Sequence, residues 1–386
     1  MSKQKIVRIT TIPLSLEKLL EGQLAYMQNY YDVIAVSAEK ERLEALGASE
    51  GVRTKYVNLT RKITPLKDIA AVYNLYSFLK KEKPAIVHSH TPKAGIVGML
   101  AAYLARVPNR LHTVAGLPLM EASGVKRNIL NVVEKLTYRC ATKVYPNSKG
   151  LKDFIIAEKF TKPSKLKIIG QGSSNGIDTS YFSDTLFSKE EVLQKKKELN
   201  IPETDFVFLF VGRIVKDKGI NELVEAFVSL QQEQPDSTLL LVGPFEDALD
   251  PVFPITKEII ETHPKIKPVG FQQDVRLFFG ISDALVFPSY REGFPNVVMQ
   301  AGAMGLPAIV SNINGCNEII TPNVNGLIVP AKDVVALSKS MHELIDNKER
   351  FFTMKENSRN SITSRYERHK IWELLREEYQ SLLHNT

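Results

Sequence analysis

Short β-branched or aromatic runs alternate with longer segments of 3.6-residue period from one end of this 386-residue chain to the other. Such alternation is the signature of an open parallel sheet covered by helices. It predicts parallel βαβ units with helices on both faces of the sheet. In the first half the strand runs fall at residues 6–10, 33–36, 52–57, 85–88, 110–114, 143–145 and 166–169. Helical periods lie between them, for example at 66–79 and 127–138. The stretch GQGSSNGIDTSYF, residues 170–182, breaks the rhythm and reads as a linker, followed by a charged helix at 189–199.

The alternation restarts at 206–211, FVFLFV, an uninterrupted apolar run suited to a central parallel strand buried on both faces. Further strands are expected at 238–242, 266–269, 284–287 and 308–310, with helices including 221–232 and 275–279. After Asp333 the pattern is helical, ending in an amphipathic segment at 367–383. The expected architecture is therefore α/β, two doubly wound Rossmann-like domains facing a central cleft, with a C-terminal helical tail. The expected bounds are 1–180, 181–365 and 366–386, the last packing back on the first domain.

Composition excludes several classes. Cys140 and Cys316 are the only cysteines, too few for a disulfide framework or a zinc ribbon. The longest nearly uncharged apolar run, residues 94–105, is too short to span a bilayer, and the N-terminus lacks a signal peptide's apolar core, so a cytoplasmic protein is expected. Net charge is +7, unevenly placed: residues 1–180 carry 28 Lys and Arg against 14 Asp and Glu, whereas 181–386 carry 22 against 29. The basic half suits an anionic surface or a phosphate-bearing substrate. No helix-turn-helix, zinc-finger or RNP-like pattern accompanies the charge, so nucleic acid is not an expected partner.

The chemistry concentrates in SYREGFPNVVMQAGAMGLPAIVSNINGCNEII, residues 289–320. It follows an apolar strand, so 288–295 should be a loop at the strand's carboxyl end. Pro295 suits the first turn of a helix. The amides of Asn296, Val297 and Val298 would then be free, at the positive end of the helix dipole, a place for a phosphate or diphosphate. Glu292 stands just before, able to accept hydrogen bonds from sugar hydroxyls. VGRIVKDKGI, residues 211–220, follows a second buried strand and places Arg213 and Lys218 at its carboxyl end, where two cations suit a departing diphosphate.

Glu292, the seven residues GFPNVVM and Gln300 resemble the E-x7-E motif of family 4 glycosyltransferases, which have the GT-B fold. Arg213 and Lys218 match that family's donor-phosphate cations, and NGCNEII, residues 314–320, resembles its G-G-x-P-E motif. The departure is Gln300 at the second glutamate, which usually binds the nucleotide ribose; an amide still accepts a hydrogen bond there. The resemblance covers essentially the whole chain. It implies catalytic roles for His112, Arg213, Lys218 and Glu292, and donor contacts at Gly22, Phe271, Asn296, Val297, Val298 and Gln300. It also implies a retaining transfer with no cofactor and no metal. HSHTPKAG, residues 88–95, and HTVAG, residues 112–116, follow strands and should face the cleft, with His112 near the reacting sugar carbon and Lys93 a phosphate contact. His88 and His90, two apart on a strand, should point to opposite faces.

TPKAG, HTVAG and GQGSSNGID also resemble a narrower group, bacterial transferases that add sugars to lipid-linked precursors of capsule, exopolysaccharide or O-antigen. The expected reaction moves a hexose or N-acetylhexosamine from a nucleotide-diphosphate sugar, UDP-linked by preference, to a glycan or polyprenyl-diphosphate-linked acceptor. Such an acceptor requires peripheral attachment to the inner leaflet. The expected patch comprises Arg61, Lys62, Lys67, Lys80, Lys81, Lys83, Lys126 and Arg127 beside Leu117, Leu119 and Met120. Two alternatives are a UDP-N-acetylhexosamine 2-epimerase-like isomerase and a non-catalytic nucleotide-sugar-binding protein. No D-x-D, G-x-G-x-x-G after the first strand, P-loop or nucleophile elbow is present.

Overall fold

The computed structural model describes residues 3–60, 64–120, 122–248 and 250–384. It divides into two compact units, one of Met1–Gly176 with Arg368–Thr386, the other of Ile177–Glu367. The first holds β1 (Lys5–Ile9), β2 (Asp32–Ser37), β3 (Arg53–Tyr56), β4 (Ile86–Ser89), β5 (Asn109–Val114) and β6 (Lys143–Pro146). All pair in parallel, in the order β3-β2-β1-β4-β5-β6. The second holds β7 (Phe206–Val211), β8 (Ser237–Val242), β9 (Ile266–Pro268), β10 (Ala284–Phe287), β11 (Ala308–Ser311) and β12 (Gly326–Val329), again parallel, in the order β12-β11-β10-β7-β8-β9.

Both orders reverse direction once, between β1 and β4 and between β7 and β10. Chain leaving adjacent strands at such a point diverges to opposite faces of the sheet and leaves a crevice at the carboxyl edge. In the second unit the loops flanking that crevice are those carrying Arg213, Lys218 and Glu292. The sheet beneath is dry: Val207, Phe208, Leu209 and Phe210 of β7 and all of β10 are buried.

The C-terminal Arg368–His384 helix belongs to the first unit and covers one face of its sheet. The Trp372 indole donates to Asn175 Oδ1 at 2.6 Å, the Tyr145 hydroxyl donates to Glu378 Oε1 at 2.9 Å, and the Tyr379 hydroxyl is bonded to His88 Nδ1 at 2.6 Å. Tyr379 is fully buried and Trp372 nearly so, each burial stabilising by on the order of 3 kcal/mol.

Three local expectations need correction. Residues 166–169 are not a strand; only Leu166 bridges to Val144, because the chain bends away afterwards. β12 lies where no strand was expected. The His88 and His90 rings lie on the same side, centroids 4.1 Å apart, because β4 ends at Ser89 and its alternation stops there.

Candidate active site

The site is built on the carboxyl edge of the second sheet. The chain leaves β7, forms a short 3-10 turn at Lys216–Lys218, and enters the Ile220–Glu233 helix. Gly219 makes the joint: its φ is +72°, and a Cβ there would stand 2.2 Å from the Pro288 carbonyl oxygen. Only glycine lets the two switch-point loops approach this closely. The Tyr290 amide then donates to Asp217 O at 2.9 Å, and Arg291 pairs with the Asp217 carboxylate at 2.7 Å.

Within this frame Lys218 Nζ meets Glu292 Oε1 at 2.5 Å, both side chains less than one-fifth exposed. The Ser289 hydroxyl donates to the same oxygen at 3.0 Å, and the ammonium also stands 5.7 Å from the Phe287 ring centroid. Asn314 supports the loop from below, its amide donating to Glu292 O at 3.1 Å and Gly293 O at 2.6 Å. Next to it Gly315, φ +78°, brings its backbone so close that a Cβ would be 2.6 Å from Gly293 O. Arg213 lies further out, Nη1 2.6 Å from Glu246 Oε2, with 45% of its side chain exposed. Glu246 itself sits on the loop after β8, which is tied to the β7 loop by Ile214 N donating to Pro244 O at 2.8 Å.

Pro295 is the N-cap, not the first helical residue, of the Asn296–Ala303 helix. That one-residue shift has a consequence. The Val298 amide donates to Pro295 O at 3.2 Å and is not free, whereas Asn296 and Val297 have no backbone acceptor among the described residues. Gln300 lies one turn on from Asn296, on the helix's outer face; Val298, Met299, Ala301, Gly302 and Ala303 are all buried. Phe271 follows β9 on the same sheet edge, 73% exposed. Cys316, fully buried behind Gly315, is held as a neutral thiol by that burial, with the Glu292 carboxylate adding to the effect.

In the first unit the expectations fare differently. His112 is on β5, but its ring is buried under the Pro92–Leu104 helix: Nδ1 is 2.9 Å from Ser89 Oγ, and a Cβ on Gly95 would stand 2.6 Å from Cε1. Burial brings its pKa down to about 4, so the imidazole is neutral at pH 7. In this structure the ring packs in the core of the first unit, 3% exposed. Gly22 caps the Gln23–Gln28 helix at φ +72°, and a Cβ there would meet the Trp372 ring at 3.0 Å. Packing against the tail by itself favours a residue without a side chain at this position. Lys93 pairs with Asp68 at 2.6 Å.

The basic patch also needs correction. Arg61 and Lys62 lie outside the described residues. Leu117 and Leu119 are buried, and Arg127 is engaged by Glu158 at 3.0 Å, whereas Lys67, Lys80, Lys81, Lys83, Lys126 and Met120 are exposed. No described helix is long and apolar enough to cross a membrane.

Sequence reasoning missed Glu246 as a partner of the site, and it placed Asn314 in the 314–320 motif without giving it a role. Both lie just beyond buried strands, Glu246 at the end of GPFE and Asn314 in NING, and that placement was the available signal.

Comparison with known proteins joins this geometry to a family. The model of the glycosyl transferases group 1 matches residues 192–361, and that of the glycosyl transferase 4-like domain matches residues 24–172. The capsular polysaccharide biosynthesis glycosyltransferase CapM of Staphylococcus aureus is 33% identical, over 99% of this chain and 98% of its own. The UDP-Gal:alpha-D-GlcNAc-diphosphoundecaprenol alpha-1,3-galactosyltransferase of Escherichia coli is 30% identical, over 94% and 93%. In fold, the chain matches Anabaena HepE, solved with UDP and glucose, at a TM-score of 0.81 and 18% identity, over 98% of this chain and all of that one. With matches spanning both units, and two six-stranded parallel sheets beneath them, the chain belongs to the family 4 glycosyltransferases of GT-B fold.

Proposed function

We propose that this glycosyltransferase takes a hexose or N-acetylhexosamine from a UDP-sugar and adds it to a polyprenyl-diphosphate-linked acceptor at the inner face of the membrane. The observation that carries the donor side is the Lys218–Glu292 pair, with Lys218 on the same loop as Arg213 and Glu292 just before the Asn296 and Val297 amides, which have no backbone acceptor among the described residues. The E. coli relative, whose name specifies a UDP-sugar and a diphosphoundecaprenol acceptor, supports the choice of both substrates.

In this reading the bond from the sugar C1 to the diphosphate oxygen breaks and UDP leaves with the electron pair. Negative charge grows on the leaving group, and Arg213, Lys218 and the Asn296 and Val297 amides are the groups available to stabilise it. They stabilise the transition state more than the ground state, which raises turnover. Both cations are held here by carboxylates, so the diphosphate exchanges with Glu246 and Glu292 for them. Glu292, released, accepts from sugar hydroxyls, and Gln300 accepts from the ribose. The exposed Phe271 ring offers the uracil a stacking surface at the sheet's outer end. The acceptor hydroxyl attacks the same face that UDP leaves, which retains the anomeric configuration, and its proton departs with the UDP. The chain's own cations supply the charge, and no metal enters the scheme.

The test is a calorimetric binding screen across UDP-, GDP- and dTDP-sugars, then turnover of the best binder with a polyprenyl-diphosphate-linked sugar. UDP-sugar binding and acceptor-dependent UDP release are expected. Conversion of the UDP-sugar without acceptor would replace this reading with the epimerase.

A further inference from the structure

The Gly124–Cys140 helix of the first unit is apolar on the wrong side. Val125, Ile129, Val132 and Leu136 are 76%, 45%, 65% and 40% exposed. Their spacing of 4, 3 and 4 places all four within about 60° of one line along the helix at 100° per residue. Glu134, Thr137 and Tyr138 are buried on the opposite face. The stripe is thus the outermost line of the helix, where a soluble surface would carry polar residues.

Its borders are cationic. Lys126 flanks one side of the stripe, and Lys135 and Arg139 the other; all three are exposed, and none has an ion-pair partner among the described residues. Glu134 is the helix's single acid and is 5% exposed, so no negative charge faces outward.

A second helix repeats the pattern. On Pro65–Glu82, Leu66, Ile69 and Tyr73 are 84%, 67% and 71% exposed at spacing 3 and 4, with exposed Lys67 beside them and Lys80 further along the same line. The Pro92–Leu104 helix lies between the two and packs against both. Helices returning between parallel strands run antiparallel to those strands, so the Leu66 and Val125 ends both stand at the carboxyl edge of the first sheet.

We propose that the Val125–Leu136 stripe, continued by Leu66, Ile69 and Tyr73, inserts into the interface of an anionic bilayer, with Lys126, Lys135 and Arg139 against the headgroups. The inference rests on the lipid-linked acceptor of the preceding section and replaces the basic patch with an apolar line. Aliphatic side chains bordered by cations and one amide, with no outward acid on the helix, match what an interfacial helix presents to anionic lipid. A second copy of the chain would set these cations against each other, which disfavours self-association through the same face.

The full-length chain is co-sedimented with phosphatidylcholine vesicles, with and without phosphatidylglycerol, at roughly 0.1 M and 1 M salt, where the Debye length falls from about 10 Å to about 3 Å. The wild type should prefer the anionic vesicles and keep a measurable bound fraction at high salt. The V125N/I129N/V132N variant should lose about tenfold in partitioning at both salts. The K126Q/K135Q/R139Q variant should lose it chiefly at low salt. Should the triple stripe variant fail to fold, V132N alone is used. Unchanged partitioning of the stripe variant would overturn the proposal. So would a wild-type dimer, seen by light scattering, that the stripe substitutions dissolve without any vesicle binding. UDP titration of the same samples reads the donor site separately: absent UDP binding would defeat the donor reading while leaving the vesicle result standing.

Discussion

Replacing Lys218 by Met removes one half of an ion pair whose members are 16% and 17% exposed. Fully buried pairs cost about 3–5 kcal/mol when one partner is removed, and exposed pairs about 0–1 kcal/mol. This pair lies nearer the buried limit, and Glu292 keeps the Ser289 hydroxyl at 3.0 Å as partial compensation. The expected cost of K218M is therefore about 2–3 kcal/mol, or a fall in Tm of about 4–12 °C for a unit of this size. E292Q alone leaves the ammonium without a counter-ion and should cost about 1–2 kcal/mol, since a lysine escapes to solvent more easily. In the double variant no charge is stranded, so the two costs should fall short of additivity by about 1.5 kcal/mol. Scanning calorimetry of the four proteins gives the cycle. A coupling below about 0.5 kcal/mol would mean that water screens the pair and that Glu292 does not hold Lys218 in the site.

Other consequences are simpler to read. Glu134 is pushed up to about 7 by burial. An acid with a raised folded pKa favours the fold while protonated, so its contribution is lost as pH rises from its unfolded value near 4.5 through 7, by about 3 kcal/mol. E134Q should abolish that loss, leaving the variant more stable than wild type at pH 8 but not at pH 4.5 by denaturant titration; equal gains at both would refute the shift. G315A forces a Cβ against Gly293 O and should weaken UDP binding at least tenfold, with the loss reporting displacement of the Glu292 loop. Q300E should change UDP affinity by about 1 kcal/mol and turnover by less than tenfold, since one acceptor replaces another; loss of all binding would remove Gln300 from the ribose.

The strand-helix alternation and the two motif loops were legible because they depend on local pattern. Burial of β7 on both faces shows in FVFLFV, and the loop after it follows from the parallel topology. What could not be read was which face met which neighbour. His112 alternates correctly on β5, yet no pattern indicates that a helix closes over it through Gly95. The Gly124–Cys140 helix shows apolar residues on two faces, and only the structure reveals that one of them is bare. Leu117 and Leu119 look as available in sequence as Met120, but the turn that follows β5 folds them inward. Pro295 lay one position from where its N1 preference put it, because either position tolerates its missing N–H.

Arg213 offers the most direct test of the leaving-group role, since its pair with Glu246 is exposed and its removal should leave stability nearly unchanged. Steady-state transfer from the UDP-sugar by R213A is measured alongside calorimetric donor affinity. A fall in kcat of about a hundredfold or more, with UDP-sugar affinity within about fivefold of wild type, is the predicted result, by the scale of deleting one preorganised charge-stabilising donor. Wild-type kcat in R213A would contradict the account.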